Sequence, residues 1–199
     1  MNLLRGFKRP RTLAERYLER GLHALDHKKY DDAIADLTEA IAHEPGNAEL
    51  YTTRGFIYLQ SNNADYLPYA RADFEYALHL DSQQMVAQYG LGMMAYAAGD
   101  YHEAMRRFDL AREISPLRAE IYYYRALCRY QLGDPQGAVK EMEELARPLF
   151  ATGDPRHLDA AKWITVFKKA IKGPPARKSV LEQAGQQELP NEEPPLLTS

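Results

Sequence analysis

The residues best suited by type and spacing to do chemistry are two histidines, His23 and His27, four positions apart with Asp26 between them. On a helix that spacing puts both imidazoles on one face, an arrangement that can present two nitrogens to a metal ion. The pattern supplies no fixed third ligand, and Lys28 and Lys29 stand beside it, so solvated side chains are the plainer expectation. Cys128 is the single cysteine. It has no partner for an internal disulfide, and a reducing, cytoplasmic setting is expected. The sequence carries no phosphate-cradling glycine loop, no zinc-type cysteine spacing and no nucleophile motif. A non-catalytic protein without metal or cofactor is therefore expected, and its chemistry is that of a surface.

Charge narrows the surfaces available. The 199 residues carry 25 lysines and arginines against 28 acids, a formal net charge of -3. No global field favours nucleic acid, and no apolar run is long enough to span a membrane. Arginine recurs with an acid a similar distance on: Arg20 with Asp36, Arg54 with Asp73, and Arg125 with Glu141. Where Leu91 takes the arginine's place, the acid becomes Arg107. This swap predicts ion pairs within a repeated unit rather than a row of cations waiting for a ligand, since a guanidinium can grip a carboxylate with two bonds.

That spacing implies elements that recur. Small residues stand at Gly21, Gly55, Gly92 and Ala126, and again at Ala33, Ala70, Ala104 and Ala138. A large residue follows four positions after each of the second set: Leu37, Phe74, Phe108 and Met142. The period is 34, with three extra residues between Gly55 and Ala70. Gly92, Ala104, Phe108 and Pro116 mark the most complete copy, Met85 to Arg118.

These marks resemble the tetratricopeptide repeat, a helix-turn-helix unit with small, aromatic and proline positions at this spacing. Gln88 and Ala95 depart from its large aromatics, and Ser82 replaces its closing proline. The resemblance implies an all-α fold, a right-handed superhelix of about four antiparallel helix pairs with a C-terminal capping helix. Each pair cannot bury its own apolar face, so stability comes from stacking on neighbours.

Taken in order, the chain is expected to comprise a basic and apolar arm (1–13), four repeats (14–47, 48–84, 85–118 and 119–152), a capping helix (153–172) and a disordered tail rich in proline, glutamine and glutamate (173–199). The arm sets Leu3, Leu4 and Phe7 among Arg5, Lys8, Arg9 and Arg11, with weak potential for a membrane surface or a partner. Thr12 and Glu15 form a predicted capping box. The capping helix carries Ala160, Ile164, Phe167 and Ile171 as an apolar stripe, with Trp163 beside it. In the tail, Leu196 and Leu197 could form a short docking motif.

Two stripes run along the first helices. One, through Gly21, Gly55, Gly92 and Ala126, is read as the seat of the paired helix. The other contains Leu22, Phe56, Tyr89, Met93, Tyr96, Tyr123, Leu127 and Tyr130. In the family resembled, first helices line the concave side, so these residues are the expected groove for an apolar peptide or helix of a partner protein. Tyrosine and methionine suit such surfaces. The side chains expected in that groove include no lysine, asparagine or arginine to clamp a terminal carboxylate, so the co-chaperone role known in the family is not expected. Tyr66 and Tyr69, in the lengthened loop, are accessory candidates. The expected function is a protein-interaction adaptor. The alternative is an assembly subunit that self-associates or docks through its ends or convex face.

Overall fold

In a computed structural model of the chain, residues 11–116 and 118–172 are described, and every helix or strand among them is helical. The helices are α1 (Leu13–Asp26), α2 (Tyr30–His43), α3 (Ala48–Gln60), α4 (Leu67–Leu80), α5 (Met85–Ala97), α6 (Tyr101–Ile114), α7 (Ala119–Gln131), α8 (Pro135–Ala151) and α9 (Arg156–Lys172), with a 3₁₀ turn at Ala64–Tyr66. Two compact units divide between Met94 and Ala95, within α5. The expectations for the arm's residues 1–10 and for the tail 173–199 lie outside the described residues.

Local chemistry starts and stops these helices. The Thr12 hydroxyl accepts from the Glu15 amide at 3.1 Å, and the Glu15 carboxylate accepts from the Thr12 amide at 2.9 Å, so two otherwise orphaned donors are satisfied together. Asn47, Asp100 and Asp134 cap α3, α6 and α8 in the same sense. At the other ends, α1, α5, α7 and α8 finish alike. The amides of Lys29, Asp100, Asp134 and Asp154 bond back five residues, to the carbonyls of Ala24, Ala95, Arg129 and Leu149. The residue before each is left-handed: Lys28 (φ 56°), Gly99 (φ 80°), Gly133 (φ 84°) and Gly153 (φ 72°). Glycine takes that conformation without steric cost; Lys28 does not.

In the first unit, α1 packs on α2, and α3 lies against both α2 and α4. Leu37, Phe74, Leu50 and Ile57 are fully buried. The small stripe does what its residue types require. A Cβ added at Gly55 would sit 2.8 Å from the Phe74 ring, and one at Gly21 would strike the Leu37 side chain. Gly90, which the repeat register does not mark, also presses on Phe74, where a Cβ would lie 2.5 Å from the ring.

In the second unit, α7 lies against both α6 and α8, and α9 packs on α8. One core runs from Tyr122, Ala126 and Leu127 through Met142, Leu145 and Leu149 to Ala160 and Phe167 of α9. Ile164 and Trp163 pack at its margin. Ile171 is 36% exposed and so adds little to the α9 stripe.

Candidate functional site

The arginine–acid pairs set the frame on which any surface is carried. Arg20 grips Asp36 through Nε at 2.7 Å and through a second nitrogen. Arg54 grips Asp73 with two bonds of 2.8 Å. Arg125 Nε lies 3.1 Å from Glu141, itself approached by Arg129 at 3.1 Å and Arg112 at 3.7 Å, while Arg125 also reaches Asp109 at 2.9 Å. The three pairs differ in depth. The Arg20 side chain is 65% exposed, Arg54 17% and Arg125 4%. Burial accordingly pushes the Arg125 guanidinium below its ordinary range, whereas the bond to Asp36 raises Arg20. Asp109, Arg112 and Arg129 carried no repeating mark, and only the depth of Glu141 reveals their part.

Within the first unit, the predicted groove residues are unequal. Leu22 is 36% exposed, and Phe56, Tyr89 and Met93 are half-buried. The Phe56 and Tyr89 rings stack nearly parallel, with centroids 6.2 Å apart and planes 20° apart, and Phe56 meets Phe74 edge-on at 5.2 Å. Phe56 thus has its position fixed from beneath by core and from the side by Tyr89. Tyr66 and Tyr69 belong to another cluster, around Tyr58, at 5.2 and 5.8 Å. The Tyr66 hydroxyl donates to Asp31 at 3.0 Å, which ties the lengthened loop to α2. Tyr69 is 58% exposed.

Within the second unit, neighbours take up much of the predicted surface. Tyr123 lies 4.5 Å from Trp163, and Tyr130 lies 6.0 Å from Phe167, both rings of α9. Burial raises the Tyr123 hydroxyl well above its ordinary range and raises Tyr96 too. Tyr96 packs against Tyr101 and Tyr124 at 5.5 and 5.7 Å. Leu127, 6% exposed, is core, because α7 is enclosed by α6 and α8. A partner cannot reach it without opening the unit.

The histidine pair is solvent-facing, with rings 4.5 Å apart and one His27 nitrogen 2.8 Å from the His23 carbonyl. Among the described residues no group of three or more histidine, cysteine, aspartate or glutamate side chains is placed to hold a metal. Nor is any described helix long and apolar enough to cross a membrane.

Antiparallel helix pairs, small residues at the crossings and a 34-residue period define a helical-repeat protein. Two tetratricopeptide repeat profiles match the chain, one over residues 24–65 and the other over residues 68–116 and 95–154. The chain belongs to the tetratricopeptide repeat family. It is 30% identical over 135 residues to tetratricopeptide repeat protein 16 of Mus musculus, covering 64% of this chain and 17% of that protein. The match to tetratricopeptide repeat protein 6 of Homo sapiens is 25% over 114 residues, covering 57% and 22%. The chain therefore spans about a fifth or less of the length of these relatives. Among solved structures, it is similar to the first such domain of Spaghetti (RPAP3) bound to the HSP90 peptide SRMEEVD, with a TM-score of 0.56, 23% identity and coverage of 64% and 99%. It is also similar to MamA, with a TM-score of 0.57, 18% identity and coverage of 94% and 98%. At these identities the likeness is one of fold.

Proposed function

We propose that the chain is a non-catalytic adaptor that holds an apolar segment of a partner protein against the first helices of its repeats. The observation that carries this reading is the Phe56–Tyr89 stack, two half-exposed rings of which Phe56 is seated on the core ring of Phe74. Rings already ordered lose little entropy when a ligand side chain is laid on them, and Met93, on the same helix as Tyr89, can adapt its shape. Leu22 extends the apolar surface of the first unit. In the second unit Tyr96, Tyr123 and Tyr130 are partly exposed, and Leu127 takes no part. Tyr66, in the 3₁₀ turn, and Tyr69, which lies in the first turn of α4 rather than in the loop, are an accessory contact. The peptide bound by the first such domain of Spaghetti (RPAP3) supports the binding class, and the surface of this chain calls for an apolar rather than an acidic ligand. A cytoplasmic, reducing location suits the buried Cys128 thiol.

A second reading has its own support. At the α8–α9 corner, Phe150 is 72% exposed and Leu158 57% exposed. Exposed apolar side chains at the end of a repeat array suit docking or self-association. Affinity capture with the wild-type chain, Tyr89→Ala and Phe150→Ser separates the two. The adaptor reading expects a captured protein to be lost with Tyr89→Ala and kept with Phe150→Ser, both variants retaining their helical circular dichroism. The reverse pattern would move the function to the corner.

A further inference from the structure

Charge on the first helices of the N-terminal unit is sorted by face. On α1, Glu15, Leu18, Glu19, Leu22 and Asp26 stand three and four residues apart and share one side. The repeat register carries that side to Glu49, Thr52, Thr53, Phe56 and Gln60 of α3, and to Val86, Tyr89, Gly90 and Met93 of α5. This is the face of the Phe56–Tyr89 stack. Glu15, Glu19, Asp26 and Glu49 give it acids on two of its helices, and none of these positions holds a lysine, arginine or histidine. The arginines of the same helices are turned to other duties: Arg20 and Arg54 are held by Asp36 of α2 and Asp73 of α4. Glu19, Asp26 and Glu49 are exposed, and Leu18, Phe56, Tyr89 and Met93 are half-buried beside them.

On α1 this face opens into a depression of about 730 Å³, where Leu18 and Leu22 lie among Glu15, Glu19 and Asp26, with Arg11 and His23 also in its lining. Arg11 pairs with Glu19, but the two side chains are 62% and 60% exposed. So exposed a pair is worth little and leaves the carboxylate able to take a second cation. Apolar side chains edged with carboxylates repel an acidic segment and draw a basic one. We infer that the segment bound by this face is cationic and amphipathic: a stretch of a partner protein with apolar side chains on Leu18, Leu22 and Phe56 and with lysines or arginines beside Glu19, Asp26 and Glu49. This rests on the adaptor reading and adds the partner's charge to it. The leucines and rings supply the grip, and the carboxylates supply the choice, since charges at a rim steer association and reject the wrong sign.

Selection of a random-sequence peptide library on the full chain tests this, with Tyr89→Ala and Glu19→Gln/Asp26→Asn as the two variants. Each substituted position is at least partly exposed, and helical circular dichroism checks that both variants fold. Peptides enriched on the wild-type chain and lost with Tyr89→Ala should carry lysine or arginine beside their apolar residues. Glu19→Gln/Asp26→Asn should weaken their binding about threefold or more and make it less sensitive to salt. Apolar peptides that are lost with Tyr89→Ala but show no basic excess, or that the double variant binds as tightly, would leave the adaptor reading standing and overturn the cationic partner. Acidic peptides lost with Tyr89→Ala would do the same. If no peptide distinguishes the wild-type chain from Tyr89→Ala, both readings fall, and the face is left to this chain's own residues or to a second copy of it.

Discussion

The Arg20–Asp36 pair and the Arg125–Glu141 pair occupy one position in the repeat register and face opposite circumstances. In the first unit the arginine lies largely in water and holds a single acid; in the second it is almost wholly enclosed and shares its acid with Arg112 and Arg129. The first helices differ in the same way. α1 leaves Leu18 and Leu22 beside an open depression, while α7 has its Leu127 enclosed and its Tyr123 and Tyr130 overlaid by rings of α9. A repeated sequence mark thus fixes geometry, whereas the neighbours fix energetic weight. The same bridge grips a buried acid in both places, with its arginine largely in water in one and enclosed in the other.

The largest test of that contrast is Arg125→Met, which leaves the Glu141 carboxylate buried with weaker company. It should cost about 3–5 kcal/mol in urea unfolding, whereas Arg20→Met, which strips buried Asp36 of a guanidinium that is itself 65% exposed, should shift the midpoint less. Equal shifts would mean that depth does not set the weight of the bridge. Phe167→Ala, which empties the seat of α9 against α8, should cost about 3–5 kcal/mol. By contrast, Leu22→Ala, made at an exposed position, should cost only a fraction of that. Parity between them would show the N-terminal face to be as well covered as the C-terminal one.

A smaller pair of changes exchanges the chemistry of two equivalent turns. Lys28 and Gly133 hold the same left-handed position. Lys28→Gly should raise stability and Gly133→Ala lower it, each by about 1 kcal/mol, read as melting temperatures moving in opposite directions by a few degrees. The last effect is one of pH. Burial holds the Cys128 thiol at about 12, above its ordinary value near 9. The protonated thiol therefore contributes stability fully present below pH 9 and lost as pH rises toward 12. Cys128→Ala should flatten that part of the stability profile, and an unchanged slope would contradict it.

Much of this was legible in the sequence because it is written in short offsets. The 34-residue period, the glycines under Leu37 and Phe74, the arginine–acid swap and the Thr12–Glu15 cap each depend on residues whose roles one or two turns of helix decide. Gly90 escaped notice because it serves the preceding repeat's Phe74 rather than its own pair; a glycine two positions before Gly92 was the available signal. The groove stripe was the least legible part. A helical wheel places Leu127 beside Tyr123 and Tyr130 but cannot say which neighbour stands over each, and packing by α6, α8 and α9 made one of them core and covered the others. Phe150 fell between marks for the opposite reason: nothing in its periodicity tells that the turn after α8 leaves it in water.

The most direct measurement is hydrogen exchange of the full chain with and without the protein it captures. The account predicts new protection along α3 and the Met85 to Met94 part of α5, around Phe56, Tyr89 and Met93. Protection confined to the α8–α9 corner, around Phe150 and Leu158, would contradict it.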